Sequence, residues 1–347
     1  MSPSPIRPES TKMFAEAYEA SDAVARQLVA NESIVRNLAA RLRKKPPRFI
    51  VTCARGSSDH AATFAKYVFE TQVGFFTASA SPSVISVYAA KQKLDDALYI
   101  AISQSGKSPD LVQHARSAKE AGAHVVALVN VEDSPLAKLA DDVVPLHAGP
   151  ELSVAATKSY ICSLSAILHI AAAWRDDAAL TDALFAVPQE LRSGWDMDWS
   201  PLADGLIDTR NMFVIGRGFG FGAALEAALK FKETCSLQAE AFSAAEVRHG
   251  PMAIVGRDFP VLVFAQRDDT WDGTHALANE FRARGARVWI AAPGNEFGTL
   301  PVPESLHPAC TPLLTIQNFY RAANALSLRR GFNPDVPPHL RKVTETI

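Results

Sequence analysis

The sequence predicts an α/β protein of two tandem domains, each a parallel sheet covered by helices. Three observations carry that prediction. Short apolar runs alternate with stretches able to form helices or loops. The alternation restarts halfway along the chain. The two halves also open alike, with a strand running into a Gly-bearing turn and an Ala-rich helix, at CARGSSDHAATFAKY and GRGFGFGAALEAALK, a repeat of about 160 residues. The length agrees, since 347 residues are too many for one ordinary core and suit two.

From Phe14 to Leu42 apolar residues recur at helical spacing (Val24, Leu28, Ile34, Leu38, Leu42), and Lys44, Lys45, Pro46 and Pro47 stop the pattern. Residues 1–45 are thus expected to be a helical lead-in. RFIVT, ALYIAI, HVVALVN and DVVPL read as strands of a first domain, 46–185. A helical stretch through Ile161 to Trp174 follows, and a polar segment containing Pro and Trp suggests a linker near 185–208. NMFVIG, FPVLVFA and RVWIAA belong to a second domain, 205–335, with a tail at 336–347.

With 48% hydrophobic and 21% charged residues and a net charge of -2, the composition is that of a soluble globular protein, with no call for nucleic acid or membrane. MSPSPIRPESTK has no apolar signal core, and the Ala-rich stretch from Ser163 to Trp174 is broken by His169 and too short to span a bilayer. A cytoplasmic protein is expected. Cys53, Cys162, Cys235 and Cys310 form neither a CxxC pair nor a disulfide-like array, and read as reduced, mostly buried thiols. Without HxH, HExxH or clustered carboxylates, neither a metal site nor a cofactor is expected.

Ser103, Gln104, Ser105, Gly106, Lys107 and Ser108 follow ALYIAI directly, with Ser108 suited to a helix N-cap and Pro109 to the first helical position. Hydroxyls, an amide and the N–H groups of a helix N-terminus converge there, which is how an uncharged loop holds a phosphate. Gly56, Ser57 and Ser58 end the preceding strand in the same way, and ligands bind at strand ends on one edge of a parallel sheet. The second copy ends its matching strand in AQRDDTWDG and lacks the hydroxyls. GRGFGFGA also fits the G-x-G-x-x-A dinucleotide pattern through Gly218, Gly220 and Ala223. That pattern needs an acidic residue at the end of a strand about 20 residues on, where LQAEAFSAAEVRHGP does not read as a strand.

Taken in order, CARGSSDHAA, SQSGKSPD, ELSVAATKSY, GRGFGFGAALEAALKFKE, AEAFSAAEVRHGP and LRKVTETI resemble the tandem sugar isomerase (SIS) family, from about residue 30 to the C-terminus. Within it they are most similar to the isomerase half of glutamine-fructose-6-phosphate aminotransferase. The resemblance implies two five-stranded parallel sheets in flavodoxin-like αβα sandwiches, and a homodimer whose subunits share active sites. Carried over by position, it implies that Ser103, Gln104, Ser105 and Ser108 cradle a phosphate. Ser57 and Ser58 would reach the substrate from the first loop, and Val154 and Ala156 from ELSVAATKSY. Glu233 matches the carboxylate that moves a proton between C1 and C2, His249 the histidine that opens the sugar ring, and Lys342 the lysine that contacts the open-chain carbonyl. Lys230, three residues before Glu233, falls on the same helical face.

Moving a hydrogen from C2 to C1 of an open-chain sugar needs one base on one face of an enediol-like intermediate, and a carboxylate serves. Ring opening needs a separate acid/base, a task for an imidazole. Some positions depart from the aminotransferase. Ser2 follows Met1 in place of the cysteine nucleophile of a glutaminase domain, Ala156 replaces a serine, Gln238 a histidine, and the tail after Lys342 is one residue shorter. These changes resemble the stand-alone type II glucosamine-6-phosphate deaminases and the deglycases of phosphorylated fructosamines. The expectation is a metal-independent enzyme that converts glucosamine 6-phosphate to fructose 6-phosphate and ammonia. A plain aldose-ketose isomerase or a deglycase comes second, and a sugar-phosphate sensor without turnover is the alternative of another class.

Overall fold

Every apolar run read as a strand is one in the computed structural model, which describes residues 6–294 and 300–342. Helices α1 (Lys12–Tyr18) and α2 (Ala20–Lys44) lead into the first sheet. Its strands are β1 (Ile50–Cys53), β2 (Thr77–Ser79), β3 (Leu98–Ser103), β4 (His124–Val129) and β5 (Asp142–Pro145), all parallel, in the order β2-β1-β3-β4-β5. Helices α3 (Ser57–Val68), α4 (Ser83–Ser86), α5 (Pro109–Glu120) and α6 (Pro135–Leu139) connect them. After α7 (Lys158–Arg175), α8 (Ala178–Gly194) and α9 (Ser200–Gly205), the second sheet is made of β6 (Asn211–Gly216), β7 (Gln238–Ser243), β8 (Pro260–Phe264), β9 (Arg287–Pro293) and β10 (Leu300–Val302). It is also parallel, in the order β10-β9-β8-β6-β7. Helix α10 (Gly220–Cys235) follows β6, α11 (Trp271–Ala283) follows β8, and α12 (Thr311–Arg329) closes the described chain of helices.

Renumbered within each copy, both sheets run 2-1-3-4-5, so strand order reverses beside the first strand of each. The carboxyl ends of β1 and β3, and of β6 and β8, flank that reversal, where parallel α/β sheets take their ligands. All residues of β3 and β8 are buried, as expected for strands covered on both faces. Val51, Tyr99, Ala101, Val125 and Leu136 lie in the core of the first sheet. Phe213, Ile215, Val263, Phe281 and Ile290 lie in that of the second.

One expectation needs correction. LQAEAFSAAEVRHGP was not expected to hold a strand, yet Gln238–Ser243 is β7, paired with β6 from Asn211↔Gln238 to Gly216↔Ser243. It is an edge strand built from Gln, Ala and Glu, and only Ala239 is fully buried, so it lacks an apolar pattern. It ends in Ser243 rather than an acid, so the dinucleotide pattern still lacks its carboxylate. Gly218 instead serves a left-handed turn (φ +55°), and a Cβ on Gly220 would come within 2.6 Å of Gln266 Oε1. The stretch expected as a linker is largely helical: α8 runs through Pro188 to Gly194. Proline removes one helical hydrogen bond, but Ala183, Leu184, Val187 and Leu191 are fully buried and hold the helix together.

Contacts group the chain into two compact units. One is built on Asp22–Pro150 and Ser159–Phe185 and holds the first sheet. The other takes Met1–Ser21, Glu151–Lys158 and Ala186–Lys342 and holds the second. All four cysteines are buried thiols. Among the described residues, no helix is long and apolar enough to cross a membrane.

Candidate active site

In the first-sheet unit, the loop after β3 is shaped by its own hydroxyls. Ser103 Oγ accepts the Gly106 N–H at 3.0 Å, and Ser105 Oγ accepts the Lys107 N–H at 3.3 Å. Gly106 sits at φ +62°, and a Cβ there would run into the Ser134 side chain, so only glycine fits. The Gly106 and Gln104 carbonyls accept N–H groups from Leu136 and Asn130, which brace the loop from the next connection of the sheet. Ser108 is the N-cap of α5, but its hydroxyl makes no capping bond. A hydroxyl has one proton to donate. Among the described residues, Ser58, Ser103, Ser105 and Ser108 donate theirs to no protein acceptor, and the Gln104 amide is likewise unengaged. Ser57 and Ser58 open α3 after Gly56, whose φ of +56° turns the chain out of β1. Five donor side chains from two adjacent strand ends are therefore available to an anionic ligand.

The matching loop after β8, in the other unit, has closed on itself. Asp268 Oδ1 accepts the N–H and hydroxyl of Thr270 at 2.8 and 2.5 Å, and Asp268 Oδ2 accepts from Gln266 Nε2 at 2.9 Å. A carboxylate of the chain itself engages the donors at the place where the first copy leaves its own open.

The same unit carries a charged row on α10. Glu226, Lys230 and Glu233 stand at i, i+4 and i+7 and so share one face. Lys230 Nζ lies 3.3 Å from Glu226 Oε1 and donates to Glu233 Oε2, while the Tyr320 hydroxyl donates to Glu226 Oε1 at 3.1 Å. Side-chain exposure is 0% for Glu226, 1% for Lys230 and 21% for Glu233. Burial works against the ammonium, but Glu226 and Glu233 outweigh it and hold the Lys230 pKa above the usual 10.5. Only Glu233 meets solvent.

The segment 151–158 belongs to this unit too. Glu16, on α1, accepts the N–H groups of Leu152 and Ser153. The Val154 N–H donates to the Asp335 carbonyl at 3.3 Å, and the Asp335 carboxylate accepts the N–H groups of Lys12 and Met13 at 2.8 Å each. Glu151 Oε1 accepts the Thr157 N–H at 3.0 Å, and Glu151 Oε2 pairs with Lys342 Nζ at 3.2 Å. Val154 and Ala156 are thus held in a braced strap, and Lys342 is tied to it. The rest of the tail, 343–347, lies outside the described residues. His249 ends the turn Glu246–His249, is exposed, and makes no hydrogen bond or ion pair with any described residue. Among the described residues, no group of three or more His, Cys, Asp and Glu is placed to hold a metal ion.

Sequence reasoning passed over Glu226, Tyr320 and Glu151. The spacing of Glu226 from Lys230 was a usable signal. For the other two, partners lie 94 and 191 residues away and no local pattern marks them.

Residues 43–173 and 205–298 match the family described as SIS domain. The chain is 33% identical over 347 residues to the glutamine–fructose-6-phosphate aminotransferase (isomerizing) of Thermococcus kodakarensis, covering 95% of this chain but 57% of that protein. It therefore spans little more than half the length of that relative. Of the solved structures, a candidate phosphosugar isomerase from Silicibacter pomeroyi matches with a TM-score of 0.89 and 42% identity, over 94% of this chain and 100% of the other. Glucosamine-6-phosphate deaminase from Thermotoga maritima matches with a TM-score of 0.77 at 22% identity, over 97% and 100%, a likeness of fold.

Proposed function

The chain belongs to the SIS domain family, and from that premise we propose that it isomerises a phosphorylated amino sugar, most directly glucosamine 6-phosphate to fructose 6-phosphate with loss of ammonia. The observation that carries this reading is the row on α10, where a buried lysine is fixed between two carboxylates and only Glu233 is reachable. A sensor needs to bind sugar phosphate. It does not need a solvent-facing carboxylate backed by a buried ammonium.

The roles follow from the chemistry. The phosphoryl group takes the unengaged donors of Ser58, Ser103, Gln104, Ser105 and Ser108. His249 transfers the proton that opens the ring. Glu233 then removes the C2 proton and returns it to C1, while the nitrogen gives up one proton and O1 takes one, converting the open-chain aldose amine into a C2 imine with a C1 hydroxyl. Lys230 balances the carboxylate's charge, and Lys342, held by Glu151, contacts the open-chain carbonyl end. Water adds to the imine and ammonia leaves, so that one water is consumed for each ammonia released.

His249 finds no partner among the described residues of its own chain, which supports assigning it to the sugar bound by a second copy in a homodimer. Reassociating Glu233→Gln with His249→Asn subunits then restores one site per heterodimer, about a quarter of wild-type activity for random pairing. Inactive heterodimers would return His249 to its own subunit. The reaction itself is tested with a panel of phosphorylated amino sugars, scoring ammonia and ketose phosphate separately. Both products in equal amounts from glucosamine 6-phosphate are expected. Ketose phosphate without ammonia from other substrates would make the chain an aldose-ketose isomerase, and no turnover would make it a sensor.

A further inference from the structure

The five unengaged donors at the ends of β1 and β3 are uncharged and the one lysine of the loop, Lys107, is exposed, whereas a sugar phosphate is a dianion near neutrality. The helices that open there bring charge of the wrong sign. Asp59 lies in the first turn of α3 and Asp110 in the first turn of α5. A carboxylate in that position is stabilised by the helix N-terminus and, by the same field, uses up part of what would attract an anion.

Arg55, two residues beyond β1, answers this imbalance. Its Nε and Nη2 both donate to Asp110 Oδ2, at 3.0 and 2.7 Å. The Asp110 side chain is fully buried and that of Arg55 is 48% exposed. The ion pair joins the loop after β1 to the helix after β3, across the point where strand order reverses. Arginine carries five N–H donors. Two are engaged by Asp110, and Nη1 has no acceptor among the described residues. A guanidinium held by one side of its fork keeps its charge and its remaining donors oriented at low entropic cost, as a lysine on a flexible stem does not. Burial pushes the Asp59 carboxyl up, with His60 and then Arg55 pulling it down, so Arg55 is felt at both helix starts.

We propose that Arg55, clamped by Asp110, is the charged member of the phosphate site and donates through its guanidinium to the phosphoryl group. The proposal rests on the reading that the loop 103–108 binds phosphate. It adds the residue that makes the site prefer a dianion over a neutral sugar.

The test is direct binding of fructose 6-phosphate to the full chain by calorimetry, so that turnover is not involved. Arg55→Ala is expected to weaken binding about ten- to a hundredfold, the worth of a hydrogen bond to a charged group, and Arg55→Lys to recover only part of it. Because Arg55→Ala strands a buried carboxylate, the double variant Arg55→Ala/Asp110→Asn removes both charges together. It is expected to fold and still to bind weakly. Wild-type affinity in the double variant, while Ser105→Ala binds weakly, would reduce Arg55–Asp110 to a structural ion pair and leave the phosphate loop standing. A loss in Lys107→Ala in place of Arg55→Ala would overturn the proposal in favour of the exposed loop lysine. Unchanged binding in both Arg55→Ala and Ser105→Ala would remove the phosphate site and this inference with it.

Discussion

Ser105 accepts a backbone N–H and retains its own proton, so its replacement by alanine removes one donor to a phosphate while disturbing little else. Ser105→Ala should mainly raise KM, with a fall of about ten- to a hundredfold in kcat/KM. Steady-state kinetics on a phosphorylated substrate check this, and unchanged constants would move the phosphate elsewhere. At this scale the sequence was legible wherever the local geometry is set by consecutive or near residues. The loop 103–108 and the pair Lys230 and Glu233 needed only local spacing. Glu226 was legible by the same rule, being four residues before Lys230, but an acid in an Ala-rich helix gives no sign of being buried until a partner such as Tyr320 is known. Glu151 and Lys342 meet across 191 positions, and Arg55 and Asp110 across 55. Such pairs depend on the order of strands and on chain return, which composition does not encode.

The strap from Glu151 to Thr157 is irregular backbone made definite by its neighbours, above all by Glu16 on α1. Burial raises the Glu16 pKa above the ordinary 4.5; the N–H groups of Leu152 and Ser153 and the charge of Lys342 oppose this, and the nearby Glu151 adds to it. A carboxyl raised in the folded state contributes stability that is fully present below 4.5 and is lost as pH rises through its folded value. Glu16→Gln keeps an oxygen to accept the N–H groups and does not titrate. The variant should match wild type at acid pH and exceed it in thermal stability as pH rises toward neutrality. Melting curves from pH 4 to 8 would show this, and a difference independent of pH would contradict it. Elements were legible largely in proportion to their burial: β3, β4 and β8 were plain, whereas of the edge strands β5 was read and β2, β7 and β10 were not. A three-residue strand such as Thr77–Ser79, or an Ala- and Glu-bearing edge such as β7, takes its conformation from the neighbour it pairs with.

Duplication gives the whole molecule its plan, and divergence between the copies gives it chemistry. Both sheets have the same strand order, yet donors left open after β3 are closed by Asp268 after β8, while the charged row stands on α10 and has no equivalent on α3. The repeat was legible from its two opening motifs, and so was the difference between the two loops, because SQSGKSPD and AQRDDTWDG differ so plainly. The grouping of α1 and the strap with the second sheet was not legible, since both precede that sheet in the chain and carry no pattern of their own. The central claim is that Glu233 carries a proton between C2 and C1 of a phosphorylated amino sugar. It is tested most directly by running the reaction in D2O and following deuterium at C1 and C2 by NMR, for wild type and for Glu233→Gln. Wild type should exchange the C2 hydrogen, and Glu233→Gln should bind the sugar phosphate without exchange. Exchange at the wild-type rate in Glu233→Gln would show that another group is the base.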